Sequence, residues 1–296
     1  MQHMRYQEFI ENVKEHIKQE LQLQVHVYPV LKNNDTIYDG LVILDPILNI
    51  SPTIYLNPYF QRYLDGVELE EIYEDIIKTY HKYLPQEDFD ISFFCDYEKA
   101  QEHIIMKLVN AQRNHELLKQ VPHILIYDLA ILFLCSVGNF TNEFSTILIH
   151  NHHMKHWDVT VDDLYEKANS NTPRLLAPRL DSLHDIFEHI TNEDLSFLEE
   201  LNCSILTNQL KIHGATVMIY PDLLHEIADL YEDDLIIVPS SIHETLIIPA
   251  HNTPADYTDE QMNSMIREVN EIHLLDTEIL SDHVYYYHRD RMEVTY

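Results

Sequence analysis

Glycine is scarce in this chain of 296 residues, which contains only Gly40, Gly66, Gly138 and Gly214. A chain of average composition and this length would carry about 20 glycines. Loops that hold a phosphate group need glycine where the backbone approaches the ligand. Because no two of the four glycines lie within one such loop, the sequence excludes the usual P-loop and Rossmann nucleotide sites.

Cysteine and long apolar runs are also scarce. Cys95, Cys135 and Cys203 are far apart and odd in number, which argues against a disulfide framework or a CxxC zinc site and fits a reducing compartment. The longest apolar run, residues 124–137, is interrupted by Asp128 and is too short to cross a bilayer. The first residues lead into a polar segment rather than the apolar core of a signal peptide. We therefore expect a soluble cytoplasmic protein with no membrane contact and, since no cofactor motif is present, no cofactor.

Positively charged residues are also few. The chain has 19 Lys and Arg residues and 50 Asp and Glu residues, which gives a formal net charge of −31. Neutralising phosphates requires clustered Lys and Arg, so we expect no direct binding of duplex nucleic acid. Residues 181–296 contain 4 basic and 24 acidic residues, so 20 of the 31 excess negative charges lie there. Either these carboxylates keep the protein soluble, or they form a surface that binds a basic partner or imitates nucleic acid.

Hydrophobic periodicity predicts helices and strands in no regular alternation. The predicted helices span residues 5–20, 58–65, 67–83, 160–169, 181–201 and 222–231, and a last one begins at Thr258. The predicted strands span residues 23–28, 36–44, 53–56, 91–94, 104–109, 124–133, 145–149, 204–207, 215–220, 235–238, 245–248, 284–287 and 292–295. Runs of strands without β-α-β alternation favour an α+β fold, with mainly antiparallel or mixed sheets and segregated helices.

Three regions follow from this order of elements. They are an N-terminal α+β region (1–90), a central strand-rich region with a capped helix (91–200) and an acidic C-terminal α+β region (201–296). The central and C-terminal regions can also form one continuous domain. The sequence predicts two helix starts with capping boxes, in which the N-cap residue and the residue three positions later exchange hydrogen bonds. These pairs are Thr160 with Asp163 and Thr258 with Gln261.

Histidine is abundant, with 20 residues, and is densest between His150 and His156. His150 and His152 match the start of the HxHxDH motif of metallo-β-lactamase-type hydrolases, but Met154 and Lys155 replace its acid and its last histidine. On a helix, His152 and His156 would share a face as zinc ligands can, but no HExxH glutamate lies between them. We therefore expect no physiological metal site in this run.

The most promising polar constellation is the turn over residues 240–244, between two predicted buried strands. One interpretation is a hydrolase site in which Ser241, His243 and Glu244 supply a nucleophile or an acid–base pair. The other is a turn whose Ser and Glu side chains satisfy its own backbone groups. There is no GxSxG elbow, and one tight turn rarely aims three side chains together.

Two further polar residues are candidates for binding. Asp128 lies within an apolar run and must be hydrogen-bonded or paired, with Arg113, Asn114 or Lys107 as the expected partner. The alternative is that Asp128 is the acid of a pocket. Asn171, near the end of the capped helix, either ties that helix to another strand or contributes to binding.

Five segments together resemble a known family. They are Asn49–Leu56, Val121–Ala130, Met154–Leu175, Val238–Glu244 and Leu280–Tyr287. In order along nearly the whole chain, they resemble an uncharacterised domain-of-unknown-function family that is common in gut anaerobe genomes, often in many copies. The central and C-terminal parts are also similar to the uncharacterised YtpQ-like family, through a Trp-x-x-Thr-x-x-x-Leu helix and the later Val-Pro turn.

This resemblance implies a family but no activity. The family pattern that it implies includes Trp157, Asn171, Ser241, His243 and Glu244, and it does not include the full histidine run. Trp157 therefore joins the candidate binding residues, and the turn over residues 240–244 becomes the first place to look for a site.

Three functional hypotheses follow. The first is a non-enzymatic protein that works through a protein partner, in one version an inhibitor, encoded by a mobile element, of a nucleic-acid-binding defence protein. That version expects a contiguous acidic face on residues 181–296. The second is a hydrolase in which Ser241, His243 and Glu244 meet in one pocket. The third is a structural or sensor module whose histidines respond to pH or metal.

Overall fold

The computed structural model describes residues 4–48, 51–84, 92–137, 145–188, 202–239, 241–252 and 258–296. The chain divides into two compact units. Unit 1 comprises Met1–Lys32 and Thr36–Ser92, and unit 2 comprises Asn33–Asp35 and Phe93–Tyr296. Across the described ranges, every helix is too short or too polar to pass through a lipid bilayer.

The helices of the described ranges are α1 (Tyr6–Leu21), α2 (Leu56–Leu64), α3 (Leu69–Tyr83), α4 (Ser92–Cys95), α5 (Tyr97–Ala100), α6 (His115–Leu118), α7 (Asn151–Trp157), α8 (Val161–Leu175), α9 (Leu183–Glu188), α10 (Leu223–Tyr231) and α11 (Asp259–His273). Short 3-10 helices span Asn33–Asp35, Gln101–His103, Gly214–Ile219 and Ala250–Asn252. The strands are β1 (Gln24–Leu31), β2 (Ile37–Leu44), β3 (Thr53–Tyr55), β4 (Ile104–Asn110), β5 (His123–Ile126), β6 (Leu129–Val137), β7 (Ser145–Leu148), β8 (Pro178–Ser182), β9 (Ser204–Asn208), β10 (Leu235–Val238), β11 (Thr245–Pro249), β12 (Tyr285–His288) and β13 (Glu293–Thr295). Every strand pair in these ranges is antiparallel, and the helices are separate from the sheets rather than connecting parallel strands, so the predicted α+β class is confirmed.

Unit 1 is a three-stranded sheet, in the order β1-β2-β3, packed with three helices. Helix α1 contributes Phe9, Val13 and Ile17, all fully buried, because residues spaced by four lie on one helix face. The predicted hairpin is present, with Val25 opposite Ile43 in its register. The sequence pattern alone predicted this unit's elements.

The centre of unit 2 is β6, which is buried at every residue. Strand β4 pairs along one edge of β6, and β5 and then β7 pair along its other edge. The predicted single strand over residues 124–133 is wrong, because the chain reverses at Tyr127 and Asp128 and pairs Ile126 with Leu129. Tyr127 adopts a φ of +57°, a left-handed conformation that is uncommon outside glycine. The run is apolar and contains no glycine or asparagine, so its sequence does not indicate a turn.

The second sheet of unit 2 has six strands in the order β13-β12-β10-β11-β9-β8. The β10–β11 and β12–β13 pairs agree with the predicted strands. The predicted hairpin between residues 204–207 and 215–220 is wrong, because Gly214–Ile219 forms a 3-10 helix and β9 pairs with β8 and β11 instead.

Three other predicted elements differ from the structure. Residues 92–94 are helical in α4 rather than extended, while residue 91 lies outside the described ranges. Helix α8 begins at its predicted cap but continues past the predicted end at Asn169 to Leu175, with Pro173 inside its last turn. The predicted helix over 181–201 is in part strand β8 and in part α9, and residues 189–201 lie outside the described ranges.

A three-residue segment of unit 2, Asn33–Asp35, comes from a distant part of the sequence. The side-chain amide of Asn34 donates hydrogen bonds to the carbonyl oxygens of Asp276 (2.6 Å) and Ile279 (2.8 Å). The carboxylate of Asp35 accepts the backbone N–H of Glu116 at the start of α6, at 2.7 Å. Unit 2 is thus completed by residues separated by more than 240 positions.

Candidate functional site

The turn between β10 and β11 directs its polar atoms at its own backbone. Ser241 is only 6% exposed, and its Oγ accepts the backbone N–H of His243 at 3.1 Å. The carbonyl oxygen of His243 accepts the hydroxyl of Thr207 at 2.7 Å. No hydrogen bond joins the side chains of Ser241, His243 and Glu244 in the described part of the turn, which leaves out residue 240.

The same turn is also tied to its neighbours through the backbone of Ile242. Its N–H donates to the carbonyl oxygen of Glu278 at 2.9 Å, and its carbonyl oxygen accepts the N–H of Ala215 at 3.3 Å. The His243 ring lies parallel to the His213 ring, with centroids 6.2 Å apart, and its buried Nδ1 has no hydrogen-bond partner in the described ranges. The turn therefore joins the 3-10 helix at Gly214–Ile219 to the segment that precedes β12.

Asp128 holds together the start of β6 and the segment before β12. One carboxylate oxygen accepts the Ser281 hydroxyl at 2.7 Å, and the other accepts the Tyr285 hydroxyl. Both donors are fully buried. Burial, and then the negative charge of Asp128, raise the pKa of Tyr285 far above its ordinary value, so this hydroxyl keeps its proton.

Two of the expected partners of Asp128 make other contacts. Arg113 pairs with Asp282, with 2.8 Å between Nη2 and Oδ2. Asn114 donates its side-chain amide to the carbonyl oxygen of Asn110 at 2.8 Å. The expected pairing of Asp128 with Arg113 or Asn114 is therefore wrong, because the turn at Asp128 directs its carboxylate to two hydroxyl groups instead.

Asn171 uses its side chain to tie α8 to the start of β4. Its amide nitrogen donates to the carbonyl oxygens of Gln101 (2.8 Å) and Ile104 (3.1 Å), and its oxygen accepts from Arg174 at 3.0 Å. This is one of the two roles that the sequence left open for Asn171. With both amide hydrogens and the oxygen engaged and the residue buried, no polar atom of Asn171 faces a ligand.

Trp157 is a packing residue with one hydrogen bond. Its indole N–H donates to the carbonyl oxygen of Phe94 at 3.0 Å, and the two rings meet edge to face at 5.0 Å. The residue is buried, so its contacts are with the protein core. The structure does not bring Trp157, Asn171, Asp128 and the 241–244 turn into one hydrogen-bonded site in the described ranges.

The histidine run forms most of α7. The backbone N–H of His150 donates to Nδ1 of His153 at 3.0 Å, which requires this ring to be neutral on that side. Burial first, and then the neighbouring imidazoles, lower the pKa of His153 to about 4. Within the described ranges, no group of three or more His, Cys, Asp or Glu side chains is placed to hold a metal ion.

A cavity of about 250 Å³ lies in unit 2, where β5, α8, α10 and β12 approach the 3-10 helix at Gly214–Ile219. We name it the tyrosine cavity. Its polar lining residues are Tyr127, Tyr165, Tyr220, Tyr287, Asp222 and His225. The sequence did not predict it, because its four tyrosines come from four separate segments of a chain with 19 tyrosines.

A second unassigned feature is an exposed apolar face on α11. Met265, Val269 and Ile272 are spaced by four and three residues, so they share one face of the helix, and they are 52%, 48% and 65% exposed. We name these three residues the apolar stripe. An adjoining side of α11 contributes Ile266 and Asn270 to the interior.

Comparisons with known proteins give one match. Neither the curated proteins nor the solved structures contain a match to this chain. The sequence profile of a family described as a family of unknown function, DUF5688, matches residues 6–289 of the 296. This match confirms the resemblance to a domain-of-unknown-function family, and the chain belongs to the DUF5688 family.

Proposed function

We propose that this protein functions by binding a protein partner, and that the apolar stripe of α11 contacts a basic amphipathic segment of that partner. The observation that carries the proposal is the stripe itself. Met265, Val269 and Ile272 present a continuous apolar face to solvent along two turns of helix. Isolated exposed apolar residues are ordinary, whereas a face at helical spacing is typical of helix-in-groove and helix-pair recognition.

Helix α11 does not need this face for its own anchoring. The side-chain amide of Asn270 donates to the carbonyl oxygen of Ser281 (3.0 Å) and to the carboxylate of Asp282 (2.9 Å). Ile266 packs in a small core with Ile236 and Val284. The interior side of the helix is therefore fixed, and the apolar stripe is left available for another molecule.

The charges around the stripe define the partner's chemistry. Residues 258–276 contain five carboxylates and a single guanidinium, on Arg267, which pairs with Glu260 at 2.8 Å. Glu268 and Glu271 flank the stripe on the side away from the buried face. A partner with apolar anchors and a rim of Lys or Arg complements this surface, and a second copy of a chain with a net charge of −31 does not.

A synthetic helical peptide with leucines on one face and lysines on the other tests this proposal. The readout is the fluorescence anisotropy of the labelled peptide as full-length protein is added. We expect Ile272→Ala to weaken binding about tenfold, since burying an isoleucine contributes about 1.5–3 kcal/mol and alanine keeps part of it. Glu271→Gln should weaken binding less and reduce its salt dependence.

The matched control is Leu230→Ala, which removes an isolated leucine that is 69% exposed on α10. We expect this variant to bind the peptide as the wild type does. Equal losses from Leu230→Ala and Ile272→Ala would mean non-specific adhesion and would overturn the proposal. So would equal binding of a peptide in which glutamates replace the lysines.

The alternative, a hydrolase that uses Ser241, His243 and Glu244, has weaker support. Its nucleophile would be a buried hydroxyl that already accepts a backbone hydrogen bond, with no hydrogen bond to the neighbouring imidazole. The inhibitor version of the binding proposal adds that the partner's basic segment belongs to a nucleic-acid-binding protein. Competition between the peptide-binding face and duplex DNA for such a partner would support that version.

A further inference from the structure

We infer that the tyrosine cavity of unit 2 is a binding site for a small organic cation, of the size of a quaternary ammonium headgroup. The inference concerns a different surface from α11 and does not rest on the proposed partner. Its volume of about 250 Å³ is just below the range of about 300–1,000 Å³ typical of sites for drug-sized ligands. The cavity therefore fits one compact group rather than an extended molecule.

Four tyrosines from four segments, Tyr127, Tyr165, Tyr220 and Tyr287, line the cavity together with seven apolar non-aromatic residues. The face of an aromatic ring carries negative electrostatic potential, so rings around a cavity attract a cation. Burial raises the pKa of Tyr220 and of Tyr287 above the ordinary value, so both phenols stay neutral at physiological pH. The walls can thus bind a cation without themselves ionising.

Two of these rings are held in place by contacts outside the cavity. The Tyr220 hydroxyl donates to the carbonyl oxygen of Leu176 at 3.0 Å. The Tyr127 ring meets the rings of Tyr285 and Tyr296 edge to face, with centroids 5.6 Å and 5.3 Å away. A ligand therefore finds preorganised aromatic surfaces, which lowers the entropy cost of binding.

The formal charge of the described lining residues is negative. The lining includes the exposed carboxylate-bearing residue Asp222, and no Lys or Arg is among the described residues that line the cavity. Asp222 is the N-cap residue of α10, yet its side chain makes no capping hydrogen bond, so the carboxylate is not used by the helix. Its φ of +60° is a conformation that aspartate tolerates better than most residues.

The remaining ionisable wall residue, His225, does not reverse this charge. Its Nε2 lies 3.6 Å from the carboxylate of Asp229, which also pairs with Arg289 at 2.8 Å. The positive charge of Arg289 is thus engaged by Asp229. A helix N-terminus by itself favours an anion, but the negative charge of Asp222, the N-cap residue of α10, opposes the binding of an anion here.

Choline and its uncharged isostere 3,3-dimethylbutan-1-ol test the inference on the full chain. Both are titrated while the tyrosine ring signals are followed by NMR, and acetate is titrated as the anion probe. We expect choline to shift the signals of Tyr127, Tyr165 and Tyr287 and to bind about 5- to 30-fold more tightly than the isostere, the range expected for cation–π contacts. Acetate should cause no shift at these rings.

Substitutions then distinguish the contribution of the aromatic rings to choline binding from that of the carboxylate charge. Tyr165→Phe should retain choline binding, because the ring remains, and Tyr165→Leu should abolish the preference for choline over the isostere. Asp222→Asn keeps a residue that tolerates a positive φ and should weaken choline about 2- to 5-fold, as for an exposed ion pair. The matched control, Glu226→Gln, removes an exposed carboxylate of α10 that does not line the cavity.

Four outcomes would overturn the inference. Equal affinity for choline and the isostere would mean an apolar pocket with no preference for cations. Binding of acetate in place of choline would mean an anion site at the helix N-terminus. Absence of any shift at the tyrosine rings at millimolar choline would mean no site. An equal effect of Glu226→Gln and Asp222→Asn would mean attraction by the general negative field alone.

Discussion

Gly214→Ala should destabilise unit 2 strongly, because there is no room for a side chain at this position. A methyl group on Gly214 would collide with Oγ1 of Thr207 and with the carbonyl oxygen of His243, and it would lie 3.1 Å from Cβ of Thr207. The two colliding atoms are themselves joined by a hydrogen bond of 2.7 Å. One of them belongs to the backbone of the 241–244 turn, so it cannot move without moving the turn.

The expected loss follows from these two contacts. Forcing one extra methyl group into a packed interior costs about 1–3 kcal/mol. Separating Thr207 from His243 costs about 1 kcal/mol more, the net value of one hydrogen bond. We therefore expect Gly214→Ala to lower the free energy of unfolding by about 2–4 kcal/mol.

Urea denaturation followed by tryptophan fluorescence measures this loss, because the single tryptophan of the chain, Trp157, lies in unit 2. Thr207→Ala, which removes only the hydrogen bond, should cost about 1 kcal/mol. The double variant Gly214→Ala, Thr207→Ala should remain less stable than Thr207→Ala, since the collision with the His243 carbonyl persists.

A control for backbone strain is Gly66→Ala. Gly66 has a φ of +96°, but an added Cβ would meet nothing within 4 Å. We expect Gly66→Ala to lower the free energy of unfolding by about 1 kcal/mol, from conformational strain alone. Denaturation monitored by circular dichroism measures this loss. If Gly214→Ala changed the unfolding free energy by less than about 0.5 kcal/mol, the packing argument for the 241–244 turn would be refuted.

The remaining predictions concern polar residues of unit 2. Asp128→Ala leaves the buried hydroxyls of Ser281 and Tyr285 without their acceptor and should lower the free energy of unfolding, measured with denaturant, by about 3–5 kcal/mol. Asp128→Asn should be milder, and equal losses from the two variants would contradict this account. The pKa of His153 is about 4 in the folded state and about 6.5 in the unfolded chain, so the unfolded chain binds more protons between these two pH values. The free energy of unfolding should therefore fall as the pH drops from about 6.5 to 4. His153→Asn should remove about 1–2 kcal/mol of that fall, a value reduced for solvent screening, and a wild-type pH profile in the variant would exclude this role. Asn171→Ala should cost about 1–3 kcal/mol by removing the two hydrogen bonds that its amide donates to the carbonyl oxygens of Gln101 and Ile104, and faster amide hydrogen exchange at the start of β4 would accompany the loss.

Features that depend on neighbouring residues were predictable from the sequence. The start of α8 was predicted correctly because Thr160 and Asp163 exchange hydrogen bonds within four residues, and Thr258 and Gln261 do the same for α11. The hairpin of unit 1 was predicted because alternation and a polar turn lie next to each other. In each case, the chemistry that fixes the element is local.

Features fixed by distant contacts were not predictable in this way. The reversal at Tyr127 is stabilised by the pairing of β5 with β6 and by an Asp128 carboxylate whose partners are more than 150 residues away. The interpretation of the 241–244 turn depended on where the Ser241 hydroxyl points, which sequence spacing does not determine. The tyrosine cavity needs four segments to meet, and no single segment carries its signal.

The placement of Asn33–Asp35 in unit 2 has a consequence for synthesis on the ribosome. Asn34 emerges early, but the carbonyl groups of Asp276 and Ile279 that it binds emerge more than 240 residues later. Contacts of such high sequence separation close late in folding. Unit 2 therefore cannot complete its polar network during translation until residue 279 has left the exit tunnel, and a chain released earlier would expose that unfinished network to cellular proteases.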